Sequence, residues 1–484
     1  MIEQIVSYWP LVTTALIALV AIVLVGSVIL HKRNESAAIA WVGLILLSPV
    51  IGAIAYLLFG INRIRRRAER TRPGPSTPFN WNPALAASGL MIADVPEGDE
   101  TSPARLRRRL LDSLTTNPMV TQNAVQVLHN GDEAYPAMLA AIDRAERSIA
   151  LTSYIFKSDR SGREFAAALA RAVERGVAVR VLVDGAGQMY SLPTTSRMLA
   201  GLGVPFARYL HSFWPWRMPY LNLRNHRKML IVDGKTGFTG GINISSANLM
   251  LRAPSRPVRD LHFEFAGPIV SQLMEKFADD WAFTTSELLE GDIWFPNPES
   301  GGEVVARVIA SGPHESINRM RWILHAAISQ AQTRICVMTP YLLPDEILVS
   351  ALRLAAIRGV RIDIIIPEHS NLRFVDWAAR ARLDDLLVDG CQIWFGPGPF
   401  NHAKLMLVDD DWALVGSTNW DPRSLRLNFE LNVECQSPTL VRDLDAVFEK
   451  EKADSRSVSL DEMNQLGMLV RLRNGVARLF SPYL

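Results

Sequence analysis

The chain has 484 residues, of which 49% are hydrophobic and 21% charged, enough for two or three domains with cores of their own. Its net charge of +2 provides no general basic field, so bulk nucleic-acid binding is not expected and an anionic partner must be met by local charge. The three cysteines show no metal-binding spacing, which indicates a reducing compartment and no structural zinc.

The amino-terminal part contains two uncharged apolar segments, residues 5–30 and 37–61. Each is long enough to cross a hydrocarbon layer of about 30 Å as a helix. A cleaved signal peptide and a pair of buried helices are the alternatives, but no basic region precedes the first segment and no cleavage pattern follows it. We therefore predict a membrane domain over residues 1–62 with two transmembrane helices.

The flanking charges predict an orientation. The turn between the two segments carries Lys32 and Arg33, whereas six arginines follow the second segment. The positive-inside rule then places everything after residue 62 in the cytoplasm. These arginines suit anionic headgroups, although an ordinary stop-transfer flank predicts the same topology. They are Arg63, Arg65, Arg66, Arg67, Arg70 and Arg72.

Residues 63–120 are basic and then rich in proline and polar residues. This composition is typical of a linker, and we expect a short helix in it around residues 105–114. Beyond the linker the sequence divides into two halves, 121–300 and 301–484. Each half is predicted to be one α/β domain.

The two halves share one order of predicted elements. In the first, a strand-like segment at 148–156 precedes a helical pattern that ends at Gly176, and a second strand pattern follows at 177–184. The same order recurs between residues 334 and 367. Each half then adds a helix, a glycine and a strand. Alternating helices and apolar strands predict a mostly buried sheet in each half, and the repetition suggests duplication with a shared cleft.

One polar motif occurs once in each half. The sequence N-H-R-K-M-L-I-V-D at 225–233 recurs as N-H-A-K-L-M-L-V-D at 401–409. On a strand, side chains at positions i and i+2 point to the same face, so the histidine and lysine of each copy are expected to project together. A single such pair is ordinarily structural, but two copies at matching points indicate a function. The pairs are His226 with Lys228 and His402 with Lys404.

Each motif ends in an aspartate and leads into a turn of small residues. Asp233 and Asp409 follow their histidines at odd spacing, so we expect them to support the local loop through backbone hydrogen bonds. The turns read G-G-I-N and G-S-T-N, and the histidine-to-asparagine spacing is 17 residues in both halves. Small residues permit close backbone approach to a ligand, and an amide can donate to an oxyanion. The expected phosphate-binding residues are Asn243, Asn419, Gly241 and Ser417.

Two histidines, two lysines and two asparagines suit a phosphodiester. One neutral histidine attacks phosphorus to form a phosphohistidine while the other, protonated, donates to the leaving alkoxide, and the roles reverse in the second step. The lysines and asparagines neutralise charge that Mg²⁺ neutralises in other enzymes. Since no acidic or histidine cluster of metal-ligand spacing accompanies the motif, we expect no metal and no other cofactor.

Two downstream segments alternate polar and apolar residues, and strand periodicity places the polar residues of each on one face. A carboxylate on such a face can orient a catalytic imidazole. Glu430 is the preferred candidate, with Asp260 and His262 as further candidates, and an ordinary solvated strand face is the alternative. The alternating residues are Asp260, His262 and Glu264 in the first half and Asn428, Glu430 and Asn432 in the second.

These motifs resemble those of the phospholipase D superfamily, in which a pair of H-x-K-x4-D motifs is followed by G-[GS]-x-N. The similarity covers residues 120–484, and both motifs match in full. The resemblance implies two α/β/α sandwich domains with pseudo-twofold symmetry and a metal-independent phosphohistidine mechanism on His226 and His402. In that superfamily the amino-terminal histidine is often the nucleophile, which favours His226.

The membrane segment at 38–63 resembles the second-span signature of bacterial cardiolipin synthases, as do D-P-R-S-L-R-L-N-F-E-L-N at 421–432 and R-D-L-H-F-E-F-A-G-P at 259–268. That family condenses two phosphatidylglycerols into cardiolipin and glycerol. The resemblance implies phosphatidylglycerol as substrate and a multi-pass protein of the bacterial inner membrane. Residues 206–220 mix aromatics and arginines, which suits the headgroup region or a loop packed over the core.

Two other activities use the same catalytic set. Hydrolysis by a phospholipase D shares the first half-reaction and differs only in whether water is excluded from the second. Cleavage of nucleic acid is less compatible with the low net charge and the apolar segments. The motifs leave open the acceptor, the acyl preference, which histidine attacks first and whether the chain forms a homo-oligomer.

Overall fold

The structure is a computed structural model. It describes residues 2–32, 35–57, 92–93, 102–209, 224–312 and 318–481. The chain divides into two compact units, Met1–Pro73 and Gly74–Leu484. The arginine cluster at 63–72, most of the linker, and residues 210–220 of the aromatic stretch lie outside the described residues.

The described part of the first unit contains three helices, α1 (Ile2–His31), α2 (Glu35–Leu47) and α3 (Pro49–Ala55). Among the described residues, one helical segment is long and apolar enough to cross a membrane, Leu11–His31. The second expected span is divided instead into two shorter helices, because Ser48 leaves helical geometry and the ring of Pro49 cannot continue the hydrogen-bond ladder.

Close packing holds these helices together. Val28 of α1, Ile45 of α2 and Tyr56 just after α3 are buried in one small core. A Cβ added to Gly52 would come within 2.5 Å of the Leu44 carbonyl oxygen, so the absence of a side chain allows α3 to approach α2. The three helices therefore pack closely against one another.

The second unit begins with α4 (Pro103–Leu114), which belongs to the segment expected to be a linker. The buried Arg107 pairs with Asp411 at 2.5 Å, and Leu111 is fully buried in the core of the second repeat. The end of the expected linker is thus a folded element, and the short helix predicted there is α4.

Two repeats follow. The first contains β1 (Val120–His129), α5 (Asn130–Arg144), β2 (Ser148–Ser153), α6 (Arg160–Glu174), β3 (Ala178–Asp184), α7 (Thr195–Gly201), β4 (Phe206–Tyr209), β5 (Met229–Val232), β6 (Thr236–Gly240), β7 (Val258–Arg259), β8 (Leu261–Ala266) and α8 (Ile269–Thr285).

The second contains β9 (Val304–Ser311), α9 (Arg319–Gln330), β10 (Arg334–Met338), α10 (Glu346–Ile357), β11 (Arg361–Pro367), α11 (Arg373–Arg380), α12 (Leu383–Leu387), β12 (Gln392–Gly396), β13 (Phe400–Asn401), β14 (Leu405–Val408), β15 (Trp412–Gly416), α13 (Pro422–Arg426), β16 (Glu430–Gln436), α14 (Pro438–Ala453), β17 (Arg456–Val458), α15 (Leu460–Asn464) and α16 (Met468–Leu479).

In the described part of the chain, 15 of these strands form one continuous sheet. The first repeat has the strand order β1-β8-β6-β5-β2-β3-β4, and the second has the corresponding order β9-β16-β15-β14-β10-β11-β12. The repeats join where β1 pairs antiparallel with β9. Each repeat contributes a hydrophobic core of its own, formed where its helices cover the apolar strands. The predicted two-domain α/β fold is therefore confirmed.

Candidate active site

Each H-x-K segment lies immediately before a strand, in extended chain rather than within β5 or β14. Its hydrogen bonds connect it to the opposite repeat. The backbone N–H of His226 donates to the Phe429 carbonyl at 2.9 Å, and the N–H of His402 donates to the Arg259 carbonyl at 2.7 Å. The two motifs are consequently held at the junction of the repeats.

The imidazole of His226 is bound by a carboxylate of the second repeat. Its Nδ1 lies 2.8 Å from Oε2 of Glu430. That carboxylate also accepts the hydroxyl of Ser417 at 2.5 Å and the amide of Asn428 at 3.0 Å. Glu430 is fully buried, so its position and the orientation of the histidine ring are fixed by side chains.

The imidazole of His402 is bound by a carboxylate of the first repeat. Its Nδ1 lies 2.7 Å from Oδ2 of Asp260. Strand pairing places His262 opposite Gly240 and Asn432 opposite Gly416, so Asp260 and Glu430, each two residues earlier, occupy equivalent positions. The repeats therefore exchange carboxylates, and each histidine depends on the other repeat.

The two lysines are buried beside these histidines. Lys228 donates from Nζ to the His226 carbonyl at 2.6 Å, and Nζ of Lys404 lies 2.7 Å from Nδ1 of His402. Burial lowers the pKa of Lys228 to about 7 and that of Lys404 to about 8, although Glu430 and Asp260 oppose the change. Lys404 also lowers the pKa of Lys228, which shows that the two motifs share one electrostatic site.

The two histidines differ in electrostatic environment. Burial lowers the pKa of His226 while Glu430 acts in the opposite direction. Burial and then Lys404 lower the pKa of His402 to about 4. Burial acts to raise the pKa of Glu430. The interactions with His226, Lys228 and Ser417 outweigh burial, so the pKa of Glu430 is lowered. Ionised Glu430 accepts a hydrogen bond from Nδ1–H of neutral His226, and the lone pair on Nε2 of His226 is then available for reaction.

A tyrosine faces each histidine, and the sequence analysis missed both. The ring of Tyr154 lies edge-on to His226 with centroids 5.0 Å apart, and the ring of Tyr341 lies 6.4 Å from His402. Lys228 also lies over the face of Tyr154, with Nζ 5.6 Å from the centroid. The available signal was that T-S-Y and T-P-Y follow equivalent strands, β2 and β10.

Two of the expected phosphate-binding residues need correction. The backbone N–H groups of Gly241 and Ser417 donate to the carbonyls of Leu261 and Leu431 across the sheet, so they are not available to a phosphate. The Ser417 hydroxyl is bound to Glu430. A Cβ on Gly241 would lie 2.1 Å from Oδ1 of Asp260, so this glycine provides the space that Asp260 occupies.

The two expected asparagines lie in the turns after β6 and β15. The Oδ1 of Asn243 accepts the N–H of Ile155 at 3.1 Å, which orients its amide so that the NH₂ group points away from that backbone. Asn419 is buried, and its Oδ1 has no hydrogen-bond partner among the described residues. The Asn419 amide contacts Asp421, whose pKa burial raises to about 6.

The motif aspartates lie at the other end of their strands. Asp233 and Asp409 both have left-handed backbone geometry, with φ of 53° and 52°. Each carboxylate accepts backbone N–H groups at the start of β2 in the first repeat or β10 in the second. The donors are Glu146, Arg147 and Ser148 for Asp233, and Gln332, Thr333 and Arg334 for Asp409.

His262 does not orient either catalytic imidazole, contrary to expectation. It is buried opposite Gly240, and its Nδ1 has no hydrogen-bond partner in the described part of the chain. Burial lowers its pKa to about 4, so it is a neutral core histidine. The prediction for this residue was wrong because strand alternation identifies a shared face but not the partner that a side chain reaches.

Comparison with known proteins identifies the family. The sequence model described as "Cardiolipin synthase, PLD-like domain" matches residues 138–281 and 324–452, and the one described as "Phospholipase_D-nuclease N-terminal" matches residues 16–60. The chain is 31% identical over 465 residues to probable cardiolipin synthase YwiE of Bacillus subtilis, covering 95% of this chain and 91% of the relative. The chain belongs to the cardiolipin synthase family.

Further similarities agree with this assignment. Cardiolipin synthase A of Pseudomonas fluorescens is 32% identical over 469 residues, with 94% of each chain covered. The solved phosphatidylserine synthase of Haemophilus influenzae has 15% identity and a TM-score of 0.62, covering 78% of this chain and all of that one, which concerns the fold alone. The resemblance to phospholipase D-like cardiolipin synthases, and with it the prediction of an enzyme, is confirmed.

Among the described residues of this family member, no group of three or more histidine, cysteine, aspartate or glutamate side chains is arranged to hold a metal ion. Lys228 and Lys404, both buried, bring positive charge to the site. Together with the asparagine amides, they can contact an anionic substrate.

Proposed function

We propose that the chain synthesises cardiolipin by transferring a phosphatidyl group from one phosphatidylglycerol to a hydroxyl of a second, with release of glycerol. The observation that carries the proposal is the reciprocal pairing of His226 with Glu430 and of His402 with Asp260. Both carboxylates bind Nδ1, so both Nε2 atoms remain for the reaction. A symmetric site suits a reaction in which an alcohol leaves and another alcohol enters.

In the first step, Nε2 of His226 attacks phosphorus and the bond from phosphorus to the glycerol oxygen breaks. His402 gives its Nε2 proton to that oxygen, so glycerol leaves as a neutral alcohol. Glu430 stabilises the positive charge that the phosphorylated imidazole acquires. Burial and Lys404 lower the pKa of His402, and the negative charge of a bound phosphodiester acts in the opposite direction and favours the protonated form.

In the second step, neutral His402 accepts the proton of a hydroxyl on the second phosphatidylglycerol. That oxygen attacks phosphorus, the bond from phosphorus to Nε2 of His226 breaks, and neutral His226 is regenerated. Water in the same position gives phosphatidic acid instead, so transfer requires that the acceptor exclude water.

The remaining residues have supporting roles in this scheme. Lys228 and Lys404 neutralise the phosphate charge, with the amides of Asn243 and Asn419 as further donors. Ser417 acts through Glu430, to which its hydroxyl is bound. These contacts supply the charge that a divalent cation supplies elsewhere, so the reaction needs no metal.

We place Gly241 and the two motif aspartates outside direct contact with phosphate. Gly241 admits the Asp260 carboxylate. Asp233 and Asp409 hold the loops before β2 and β10 through backbone hydrogen bonds, so they act on the position of the strands that pair with β5 and β14.

For the membrane unit, we propose that residues 37–61 form a second span beside Leu11–His31, broken at Pro49. The six arginines that follow this segment support a cytoplasmic position for the catalytic repeats at the inner membrane of a bacterium, by the positive-inside rule. The N-terminal family match at 16–60 overlaps both apolar segments. Such an anchor confines the enzyme to the plane of its phosphatidylglycerol substrate, which raises the effective concentration.

The test is to incubate the purified full-length protein in detergent with phosphatidylglycerol labelled in both the acyl chains and the glycerol headgroup. Cardiolipin and glycerol in equal amounts, unaffected by a chelator, support the proposal. Phosphatidic acid without cardiolipin identifies a hydrolase. Cleavage of an oligonucleotide without turnover of lipid overturns the assignment.

A further inference from the structure

The C-terminal helix α16 exposes its apolar side. Leu469 and Leu472 are 81% and 61% exposed, and Met468 and Leu479 are 83% and 73% exposed. At 100° per residue, these positions form one continuous face together with Val476 and Phe480. The opposite side, which carries the buried Asn474 and Ala477, packs against the protein. A helix on the surface of a water-soluble protein normally buries its apolar side and exposes its polar side.

Arginines lie on both edges of this apolar face. Arg471 and Arg478 are exposed on one edge, and Arg473 lies on the other, over the ring of Trp377 with the guanidinium carbon 4.6 Å from the centroid. From Met468 to the end of the chain, the sequence contains these three arginines and no aspartate or glutamate. An apolar face bordered by arginines without acidic residues complements an anionic lipid surface.

The start of α11 extends the same surface. Leu372 and Phe374 are exposed, and the Phe374 ring contacts Phe480 with centroids 5.7 Å apart. Arg373 between them is exposed as well. The apolar and basic character of α16 therefore continues onto a second helix that packs against it.

This surface connects directly to the catalytic site. Tyr341 packs against the small core formed by α11 and α16, and its hydroxyl donates to Asn371 at 2.5 Å, just before α11. The same tyrosine ring faces His402. The surface thus lies beside the second-repeat histidine.

The first repeat has an exposed apolar cluster at the equivalent point of its topology. Met189, Tyr190 and Leu192 follow β3 as Leu372 and Phe374 follow β11, and they are 66%, 58% and 86% exposed. The Tyr190 ring contacts Tyr154, which faces His226, with centroids 6.2 Å apart. Both histidines therefore have exposed apolar residues near them, one set from each repeat.

We propose that α16 and the start of α11, with Met189, Tyr190 and Leu192 opposite them, dock the catalytic unit onto a bilayer that contains anionic phospholipid. This docking proposal rests on the proposed function, because it explains how the phosphate of a lipid substrate reaches the site while the lipid stays in the bilayer. Apolar side chains enter the interface while the arginines contact headgroup phosphates.

Cysteine labelling of the full-length protein provides the test. Cys336, Cys391 and Cys435 are all buried, so a cysteine introduced on the surface reacts selectively. Leu472→Cys reports on the proposed surface, and Leu251→Cys is the matched control, because Leu251 is an apolar side chain that is 89% exposed outside the proposed surface. Each variant carries an environment-sensitive dye and is reconstituted into vesicles of phosphatidylglycerol and phosphatidylcholine that contain a lipid-borne quencher.

The proposal predicts blue-shifted emission and strong quenching at position 472, with neither at position 251, and weaker quenching when phosphatidylglycerol is left out. Equal quenching at the two positions overturns it. Shielding of position 472 in detergent alone that grows with protein concentration also overturns it, because the occupant is then a second copy of the chain.

A charge variant separates this surface from the chemistry. Leu469→Glu/Leu472→Glu should raise the KM for phosphatidylglycerol in vesicles and leave turnover of a monomeric short-chain phosphatidylglycerol unchanged, whereas Leu251→Glu should change neither. Loss of the short-chain activity contradicts a docking role. If the unmodified protein makes no cardiolipin while position 472 is still quenched, the proposed function fails and the docking surface stands.

Discussion

His226 and Glu430 are 204 positions apart in the chain, yet their side chains meet at 2.8 Å in the buried centre of the molecule. His402 and Asp260 make the reciprocal contact at 2.7 Å. Because each repeat completes the histidine of the other, neither repeat has a complete site alone. The two copies of the motif therefore form a single site, which is the catalytic centre in the proposed mechanism.

Glu430→Gln and Asp260→Asn should each lower kcat by about 10³–10⁴-fold, because a neutral amide does not stabilise a positively charged imidazole and its NH₂ group can donate to Nδ1, which selects the wrong histidine tautomer. Thermal stability should change far less. Glu264→Gln is the control, since this glutamate lies on the same strand as Asp260 but is half-buried away from the histidines. Cardiolipin formation near the unmodified rate in either variant contradicts the orienting role.

Gly241→Ala should reduce activity by about 10²-fold or more, because its Cβ would displace Asp260 from His402 and small misplacements of catalytic groups are costly. Gly201→Ala is the matched control, since no atom lies within 4 Å of its added Cβ. Product formation and circular dichroism measured on both variants separate a local effect from misfolding. A Gly241→Ala protein that is well folded and fully active would contradict the requirement for space at position 241.

Asp409→Ala should lower the free energy of unfolding by about 1–3 kcal/mol, because the backbone N–H groups of Gln332 and Thr333 lose their hydrogen-bond acceptor. Asp410→Ala alters the neighbouring exposed carboxylate and should have little effect. Asp233→Ala should likewise lower both stability and rate. Denaturant unfolding measures the difference, and equal stability of the two variants at 409 and 410 refutes the structural role.

The pH dependence of kcat/KM should report the buried lysines. The pKa of Lys228 is lowered to about 7 and that of Lys404 to about 8, and a lysine is cationic only below its pKa. As the pH rises through this range, the free enzyme loses the charge that attracts the phosphate, so kcat/KM should fall. In Lys404→Arg, which stays protonated, the part of the fall near pH 8 should disappear, whereas the fall near pH 7 that Lys228 causes should remain. A profile that keeps rising above pH 8 is incompatible with this assignment.

The secondary structure and the motif were predictable because they depend on local patterns. Strand and helix periodicity is read within about ten residues, and the strand patterns at 148–156 and 334–343 correspond to β2 and β10. The exchange of carboxylates was not predictable, because alternation shows which residues of β8 and β16 share a face but not which repeat they meet.

Two other features depend on tertiary structure, and a third depends on a single proline. The backbone donors of Gly241 and Ser417 are used by neighbouring strands, which no turn motif reveals. Tyr154 and Tyr341 each face the histidine of their own repeat, because pairing of β2 with β5 and of β10 with β14 brings together segments that are distant in sequence. Hydropathy alone does not register Pro49, which divides the second apolar segment into two helices.

The most direct test of the two-histidine mechanism uses His402→Ala and a phosphatidyl donor whose leaving group is p-nitrophenolate, which needs no proton from His402. We expect release of one p-nitrophenolate per protein and formation of a phosphatidyl adduct on His226. The adduct should persist, because the base of the second step is missing. Mass spectrometry after a denaturing alkaline quench identifies the modified residue. An adduct on another residue, no adduct at all, or the same adduct in a protein that also carries His226→Ala would contradict it.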